Sequence, residues 1–211
     1  MKQSTQSDRR FWNRIAEKYA RDPIADEAAY QRKLEVTREY FTPESVVFEF
    51  GCGTGSTALL HAPHVSRIDA IDLSADMLKI ARQRQAEAGV ENVQFTEADI
   101  GGFNASAGEY DVVLGLSVLH LLRSRSDTLV QVHDLLKPGG VFVSSTACLA
   151  DHMGFIQPVI TVGRWIGRMP YVEFFSENRL VQEQEAAGFE IVHRWRPNKD
   201  AAVFLVARKR P

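Results

Sequence analysis

A glycine-rich stretch, FEFGCGTGST at residues 48–57, has the composition of a turn in which the backbone approaches a ligand closely. Its glycines alternate along the chain: Gly51, Gly53 and Gly55. A dinucleotide-binding turn would have glycine or alanine where Ser56 stands. Glu49, two residues before the first glycine, would be a poor neighbour for a pyrophosphate and a good one for a cationic group. The stretch therefore favours a ligand that carries an amine or a positive charge.

A second carboxylate follows the glycine stretch at a spacing along the sequence that is typical of nucleoside-binding proteins. Asp72 lies 19 residues after Gly53, at the end of the second predicted strand, where a carboxylate can accept both hydroxyls of a ribose. This spacing fits a dinucleotide and other adenosine compounds equally well. Asp72 is alternatively a cap for the helix that begins near Ser74 or Ala75.

Short apolar runs alternate with helical patterns from residue 45 onward, which is typical of βαβ units and of a parallel sheet covered on both faces. The predicted strands are VVFEF, RIDAIDL, VQFTEAD, YDVVLGL and GVFVSSTA, with helices near residues 56–61, 75–88, 126–136 and 177–187. The last two runs, FEIVHRW and AAVFLVARK, are joined by a turn too short for a parallel crossover, which predicts an antiparallel closing hairpin. In such a sheet the ligand binds beyond the carboxyl ends of the strands, where the glycine stretch falls.

Two helical patterns, at residues 7–22 and 26–41, precede the first strand and are free to form a cap. A segment rich in apolar and aromatic residues, 153–175, precedes the last helix. As a lid it would wall an apolar acceptor pocket with Phe155, Ile156, Trp165, Ile166, Met169, Tyr171 and Phe174. As a membrane-surface element it would place Arg164 and Arg168 near anionic headgroups. Two basic residues are few for that role, so the lid is favoured.

Composition narrows the function classes. The 211 residues suffice for one α/β domain with a small cap, and the net charge of -2 argues against a nucleic-acid partner. Two distant cysteines, Cys52 and Cys148, form neither a disulfide framework nor a zinc motif, and the histidines have no metal-ligand spacing. No signal peptide or membrane span is recognisable. The sequence predicts a soluble cytoplasmic protein with a small-molecule partner and no metal, and it leaves the oligomeric state open.

The ordered motifs resemble those of class I S-adenosylmethionine-dependent methyltransferases. EFGCGTG is similar to the ExGxGxG motif of that family, and IDLSADML, EADI, YDVVLGLSVLHLL and LLKPGGVFVSS follow in the family's order. The resemblance covers roughly residues 45–209. It implies a Rossmann-like, doubly wound sheet of seven strands, in order 3-2-1-4-5-7-6 with strand 7 antiparallel. Residues 1–44 would form the helical cap, and residues 45–211 the methyltransferase domain with a lid insertion at about 150–176.

The resemblance also implies residue roles toward S-adenosylmethionine and its product S-adenosylhomocysteine. The amino acid end of the cofactor would lie against Gly51, Cys52 and Gly53, near Glu49, and the ribose would bind Asp72. The adenine would contact Leu73, Met77, Asp99 and Ile100, with Asp99 accepting from the amino group. Leu116 and Ser117 would lie near the sulfonium. Tyr19 resembles an N-terminal tyrosine that covers the cofactor in several small-molecule methyltransferases.

Methyl transfer is an in-line displacement, so the protein contributes mainly alignment. A base is required only if the acceptor must first lose a proton, and His120 is the best-placed candidate. Each role has a structural alternative: His120 has apolar neighbours, Asp99 suits a turn, and Tyr19 and both cysteines suit core packing.

The predicted function is methyl transfer from S-adenosylmethionine to a small, apolar acceptor. Methylation of a quinone or lipid at a membrane surface is one alternative. A NAD(P)-dependent oxidoreductase and a non-catalytic cofactor-binding module are the others. GLSVLH stands where nucleobase and glutamine amino-methyltransferases carry an NPPY-type motif, which argues against those activities. No carboxylate cluster follows the fourth strand, which argues against metal-assisted catechol methylation.

Overall fold

A seven-stranded sheet organises the computed structural model, which describes residues 6–151, 153–165 and 169–210. The strands are β1 Val46–Phe50, β2 Arg67–Asp72, β3 Val93–Glu97, β4 Tyr110–Leu116, β5 Leu136–Thr146, β6 Phe189–Trp195 and β7 Val203–Lys209. Their order is β3-β2-β1-β4-β5-β7-β6, and β7 runs antiparallel to both β5 and β6. The predicted fold and the closing hairpin are therefore confirmed.

Seven α-helices are described: α1 Gln6–Arg21, α2 Glu27–Arg38, α3 Ser56–His61, α4 Ala75–Ala88, α5 Arg125–Leu135, α6 Gln157–Trp165 and α7 Glu177–Ala186. Several begin at a side chain that satisfies a free backbone N–H of the first turn. Asp26 accepts from Ala29 at the start of α2, and Ser74 accepts from Met77 at the start of α4. Helix α4 ends at Gly89, whose φ of 63° is the usual left-handed helix terminus.

The sheet buries apolar side chains on both faces, because successive residues of a strand point to opposite sides. Phe48 belongs to the core on the face covered by α5 and α7. Val47 belongs to the core on the other face, which we call the α2 face, where α2, α3 and α4 pack. Glu49 is two residues after Val47 and therefore lies on the α2 face, at the carboxyl end of β1.

Strand β5 begins earlier than the sequence indicated. The predicted strand started at Gly140, whereas Leu136 already pairs with Tyr110 of β4. The register then shifts, and pairing resumes at Val112 and Val141. The sequence LKPGG is typical of a turn. Its first residue, Leu136, is nevertheless buried and is held in the sheet by its pairing with Tyr110.

The two N-terminal helices lie against the carboxyl ends of the strands. Helix α1 contacts α4 through Asn13, whose Oδ1 accepts from the Ser74 hydroxyl at 2.6 Å. Helix α2 contacts α3 and β5. The Tyr30 hydroxyl lies 3.1 Å from Thr57 Oγ1 of α3. Lys33 Nζ donates to Ser145 Oγ of β5 at 2.9 Å. These contacts close the ligand-binding end of the sheet.

The segment predicted as a lid contains α6 and an extended stretch at residues 170–175. The Glu173 N–H donates to the carbonyl of His120 at 2.8 Å, and the Arg125 guanidinium lies 3.6 Å from the ring centroid of buried Phe175. Two residues named for this segment, Ile166 and Arg168, lie outside the described residues, as do the side chains of Phe155, Arg164 and Trp165. None of the helices described for this chain is long and apolar enough to cross a membrane.

Candidate active site

A cleft opens at the carboxyl ends of β1, β2 and β4, between the sheet and α1. It holds about 830 Å³ of empty space, part of it open to solvent. Ten of the thirteen predicted site residues line it: Tyr19, Gly51, Gly53, Asp72, Leu73, Met77, Asp99, Ile100, Leu116 and Ser117. Glu49, Cys52 and His120 are not on its wall.

The glycine turn needs its glycines for backbone conformation and for space. Gly51 and Gly55 have φ values of 68° and 76°, which side chains rarely adopt. A Cβ on Gly51 would lie 2.7 Å from Val118 Cγ2, and one on Gly55 would lie 2.7 Å from Phe95 Cζ. Gly55 thus allows close packing below the turn, whereas Gly53 faces Tyr19 across the cleft.

Asp72 ties the end of β2 to the glycine turn. Its Oδ2 accepts from the N–H of Gly53 at 2.9 Å, and its Oδ1 accepts from the N–H of Ser74 at 2.8 Å. Burial raises the pKa of Asp72 despite these bonds. Helix α4 is capped by Ser74, so Asp72 supports the cap without forming it. Each carboxylate oxygen keeps a further lone pair, which suits a ligand with two adjacent hydroxyls.

Glu49 is a buried carboxyl group beneath the turn, with 3% of its surface exposed. Its Oε2 has no hydrogen-bond partner among the described residues. Burial, together with the charge of Asp72, raises the pKa of Glu49 to about 8. An unpaired buried oxygen is costly, and a cationic ligand group would relieve that cost. These two carboxyl groups therefore fit, as acceptors, the amino group and ribose of S-adenosylmethionine.

Two aromatic residues of α1 cover the turn. Tyr19 is half exposed, and its Cε1 lies 3.9 Å from the position that a Cβ on Gly53 would take. The Tyr19 and Trp12 rings are 6.4 Å apart in an edge-to-face arrangement. Desolvation, followed by the charges of Asp72 and Glu49, raises the pKa of the Tyr19 phenol. Sequence reasoning missed Trp12 as a cleft residue, although its position seven residues before Tyr19 places both on one helical face.

Asp99 combines the two roles considered for it. Its Oδ1 accepts from the Gly101 N–H at 2.9 Å and so caps a short 3₁₀ turn at Ile100–Gly102. It also lines the cleft, beside Ile100, Leu73 and Met77. This end of the cleft has the apolar walls and the single acceptor that an adenine ring would require.

The opposite end of the cleft is formed by the residues after β4. Ser117 has a φ of 57°, in the left-handed region, and its N–H donates to the Ser145 carbonyl at 2.7 Å. Backbone strain of this kind costs free energy and is common at functional sites. Leu116 and Ser117 both line the cleft here.

His120 lies in the 3₁₀ turn Leu119–Leu121, away from the cleft wall. Burial lowers the pKa of His120 to about 4, so the imidazole is neutral at pH 7. Its Nδ1 is buried and has no partner within the described part of the chain. Whether it serves as a base stays a prediction.

Asp8 is a cleft residue that the sequence did not reveal. Its carboxylate accepts from Arg123 Nη2 at 2.7 Å and from the Tyr171 N–H at 3.0 Å. The Arg123 guanidinium also lies 4.5 Å from the Tyr171 ring centroid. These three residues, which we call the latch, join α1, the loop after β4 and the predicted lid. An acidic residue on a largely apolar helical face was the available signal.

Residues 47–140 match the model of a methyltransferase-domain family. A highly reducing polyketide synthase, lcsB of Purpureocillium lilacinum, is 28% identical in an alignment of 183 residues that covers 79% of this chain and 7% of the synthase. The malonyl-(acyl-carrier protein) O-methyltransferase of Halalkalibacterium halodurans is 34% identical in an alignment of 105 residues that covers 47% of this chain and 38% of that protein. The chain therefore spans less than half the length of each of these two relatives.

Solved structures share the fold at low identity. The (4+2)-cyclase SpnF aligns with a TM-score of 0.72 and 18% identity, over 85% of this chain and 80% of the cyclase. An S-adenosylmethionine-dependent methyltransferase from Mesorhizobium loti aligns with a TM-score of 0.66 and 20% identity, over 82% of this chain and 96% of that chain. Because one of the two is described as a cyclase, the shared fold does not fix the reaction.

Proposed function

We propose that this chain, residues 47–140 of which match a methyltransferase-domain family, is a class I S-adenosylmethionine-dependent methyltransferase that transfers the cofactor's methyl group to a small-molecule acceptor. The observation that supports this most strongly is the pair of buried carboxyl groups, Glu49 and Asp72, on either side of one glycine turn. A pyrophosphate would oppose ionisation of Glu49 and be repelled by the Asp72 carboxylate, whereas an ammonium group would favour ionised Glu49 and a ribose would donate to Asp72.

The bound cofactor would supply an electrophilic methyl group on a sulfonium. The chain's own residues hold the cofactor and exclude water. Glu49 and the glycine turn hold its amino acid end, and Asp72 accepts from the ribose hydroxyls. Leu73, Met77, Asp99 and Ile100 surround the adenine, and Tyr19 with Trp12 covers the site. Alignment of the acceptor with the methyl group is the main catalytic contribution.

The acceptor enters, in this proposal, from the side of Leu116 and Ser117. The apolar residues after β4 and the 170–171 stretch wall that side, which suits an apolar acceptor. The relatives add a chemical class, since one is named for malonyl-(acyl-carrier protein) and another is a polyketide synthase. An acyl group presented as a thioester is therefore the first acceptor class to test.

A lipid or quinone acceptor at a membrane surface is favoured by one observation. In the lid segment, Val162 is 58% exposed and Met169 is 40% exposed, and both are apolar. Co-sedimentation of the protein with anionic and neutral vesicles distinguishes this acceptor class. Partitioning that disappears in the double variant Val162→Ser, Met169→Ser would support it, and absence of partitioning would exclude it.

The proposal is tested by calorimetry with S-adenosylhomocysteine and NADH, followed by a radiolabelled methyl-transfer screen over acceptor classes. Binding of S-adenosylhomocysteine alone supports the assigned cofactor, and binding of NADH alone would point to an oxidoreductase. Methyl transfer to any acceptor separates an enzyme from a non-catalytic module that only binds the cofactor.

A further inference from the structure

Lys33, at the acceptor side of the site, is half-buried and forms no ion pair with a carboxylate in the described part of the chain. Lys33 projects from α2, and its Nζ donates to the Ser145 hydroxyl at 2.9 Å. No carboxylate of the described residues forms an ion pair with it. Its neighbour Arg32 differs, because Arg32 is exposed and lies 3.7 Å from Glu35. Lys33 is thus partly withdrawn from water with a hydroxyl, and no carboxylate, as its described hydrogen-bond partner.

The sheet register places Lys33 next to the end of the cleft that is formed by Leu116 and Ser117. Ser145 pairs with Leu116 across β5 and β4, and the Ser117 N–H donates to the Ser145 carbonyl. Leu116 and Ser117 line the cleft. Ser145 is two residues after Val143, which packs on the α2 face, so its hydroxyl points toward α2. One residue therefore links the lysine to the cleft wall.

The ammonium group retains capacity for a ligand. Lysine has three N–H donors, and the Ser145 hydroxyl takes one of them and fixes the position of the nitrogen. Burial lowers the pKa of Lys33, an effect that the charge of Asp26 partly opposes. A cation that is desolvated in this way gains more from binding an anion than an exposed lysine does.

We propose that the acceptor is a carboxylic acid and that Lys33 binds its carboxylate. This inference rests on the proposed methyl transfer. A carboxylate oxygen attacks the methyl carbon, so an O–C bond forms as the C–S bond breaks, and the electron pair of the C–S bond goes to sulfur. The products are a methyl ester and S-adenosylhomocysteine. The acceptor is already ionised at pH 7, so no proton has to be removed.

Lys33 would act in two ways in this reaction. It draws an anion toward a cleft that is lined by Asp72, whose carboxylate would otherwise repel an acid. It also selects against the neutral product, because the methyl ester no longer offers a charged oxygen. The expected specificity is therefore acid over ester, with the thioester portion of the acceptor lying along the apolar wall.

The test is calorimetric titration of the protein, loaded with S-adenosylhomocysteine, with malonyl-N-acetylcysteamine and with the methyl ester of that compound. Wild type is expected to bind the acid at least about 10-fold more tightly than the ester. Lys33→Met should reduce affinity for the acid by at least about 10-fold, and Lys33→Arg should restore most of it. Arg32→Met, which removes a charge from the exposed side of the same helix, should have no effect.

The affinity for S-adenosylhomocysteine is also measured for every variant. It distinguishes failure of the proposed methyl transfer from failure of the carboxylate acceptor alone. If wild type does not bind S-adenosylhomocysteine, the proposed function fails and this inference fails with it. If it binds S-adenosylhomocysteine but binds the acid no better than the ester, the carboxylate acceptor is overturned while the cofactor assignment stands. Because that comparison uses wild type alone, it holds even if Lys33→Met does not fold. Equal acid binding by folded Lys33→Met and wild type would overturn the role of Lys33.

Discussion

The Oδ2 atom of Asp72 accepts a hydrogen bond from the backbone N–H of Gly53 at 2.9 Å. This bond joins the carboxyl ends of β1 and β2, and it sets the distance between the turn and the carboxylate that lies opposite the proposed ribose. The same carboxylate positions the start of α4 through Ser74. Asp72 is therefore both a proposed ligand group and a structural link.

Replacing Asp72 with asparagine is expected to weaken S-adenosylhomocysteine binding by about 10- to 100-fold, because one charge-assisted acceptor is lost. The asparagine amide would also place a donor opposite a backbone N–H, at Gly53 or Ser74. Stability should fall by about 1–3 kcal/mol. Calorimetry and urea denaturation measure the two effects. The control is Asp76→Asn, an exposed change in the first turn of α4. It should alter neither the affinity for S-adenosylhomocysteine nor the stability.

Glu49→Gln is expected to stabilise the protein above neutral pH and to weaken cofactor binding. The pKa of Glu49 is about 8 in the folded protein, against an ordinary value of 4.5. Below pH 4.5 the group is protonated in both folded and unfolded chains and costs nothing. Between pH 4.5 and about pH 8, the Glu49 carboxyl group ionises in the unfolded chain but keeps its proton in the folded protein. The free energy of unfolding therefore falls as the pH rises through this range.

Thermal unfolding of wild type and Glu49→Gln at pH 4 and pH 9 measures this difference. The two proteins should unfold together at pH 4, and the variant should have the higher midpoint at pH 9, by about 2–4 °C for each kcal/mol. Its affinity for S-adenosylhomocysteine should fall at least about 10-fold, since the amino group would lose a carboxylate partner. An equal or lower midpoint for the variant at pH 9 would show that Glu49 is stabilised by a partner.

Opening of the latch is expected to speed cofactor release. Asp8→Asn removes the charge that holds Arg123 and weakens the bond to the Tyr171 N–H, so residues 170–175 should exchange their amide hydrogens faster. The dissociation rate of S-adenosylhomocysteine should rise several-fold, measured by stopped-flow fluorescence. Arg123→Lys, which keeps the charge but loses the planar guanidinium, should have an intermediate effect. If amide hydrogen exchange of residues 170–175 were the same in Asp8→Asn as in wild type, Asp8 of α1 would not hold the lid segment in place.

His120→Gln tests the predicted base. For an acceptor that must lose a proton, such as a phenol, the substitution should lower kcat by about 10²-fold or more if His120 accepts that proton. For a carboxylate acceptor it should change kcat little, because no proton is transferred. Loss of activity with both acceptor types would indicate that the His120 turn positions the cleft wall instead.

The glycine turn, Asp72 and the order of the strands were predictable because each follows from local chemistry. Glycines at φ values near 70° and a carboxylate at a strand end leave a sequence signature, and alternating strand and helix patterns fix a parallel sheet. The antiparallel hairpin followed from the length of a single loop.

Other parts of the site depend on contacts between residues far apart in sequence. The bond between Asp8 and Tyr171 spans 163 positions, and that between Lys33 and Ser145 spans 112. Of these four residues only Ser145 belongs to a motif, and a charged residue in an amphipathic helix ordinarily faces solvent. The burial of Glu49, by contrast, was foreseeable from its strand, but its unpaired oxygen was visible only in the packed structure.

The most direct test of the account is equilibrium binding of S-adenosylhomocysteine to wild type, Glu49→Gln and Asp72→Asn, with NADH as the competing ligand. Wild type should bind S-adenosylhomocysteine with micromolar affinity, each variant should bind it at least about 10-fold more weakly, and NADH should not bind. NADH binding to wild type, or S-adenosylhomocysteine affinity unaffected by both substitutions, would contradict the assignment of this cleft to a sulfonium cofactor.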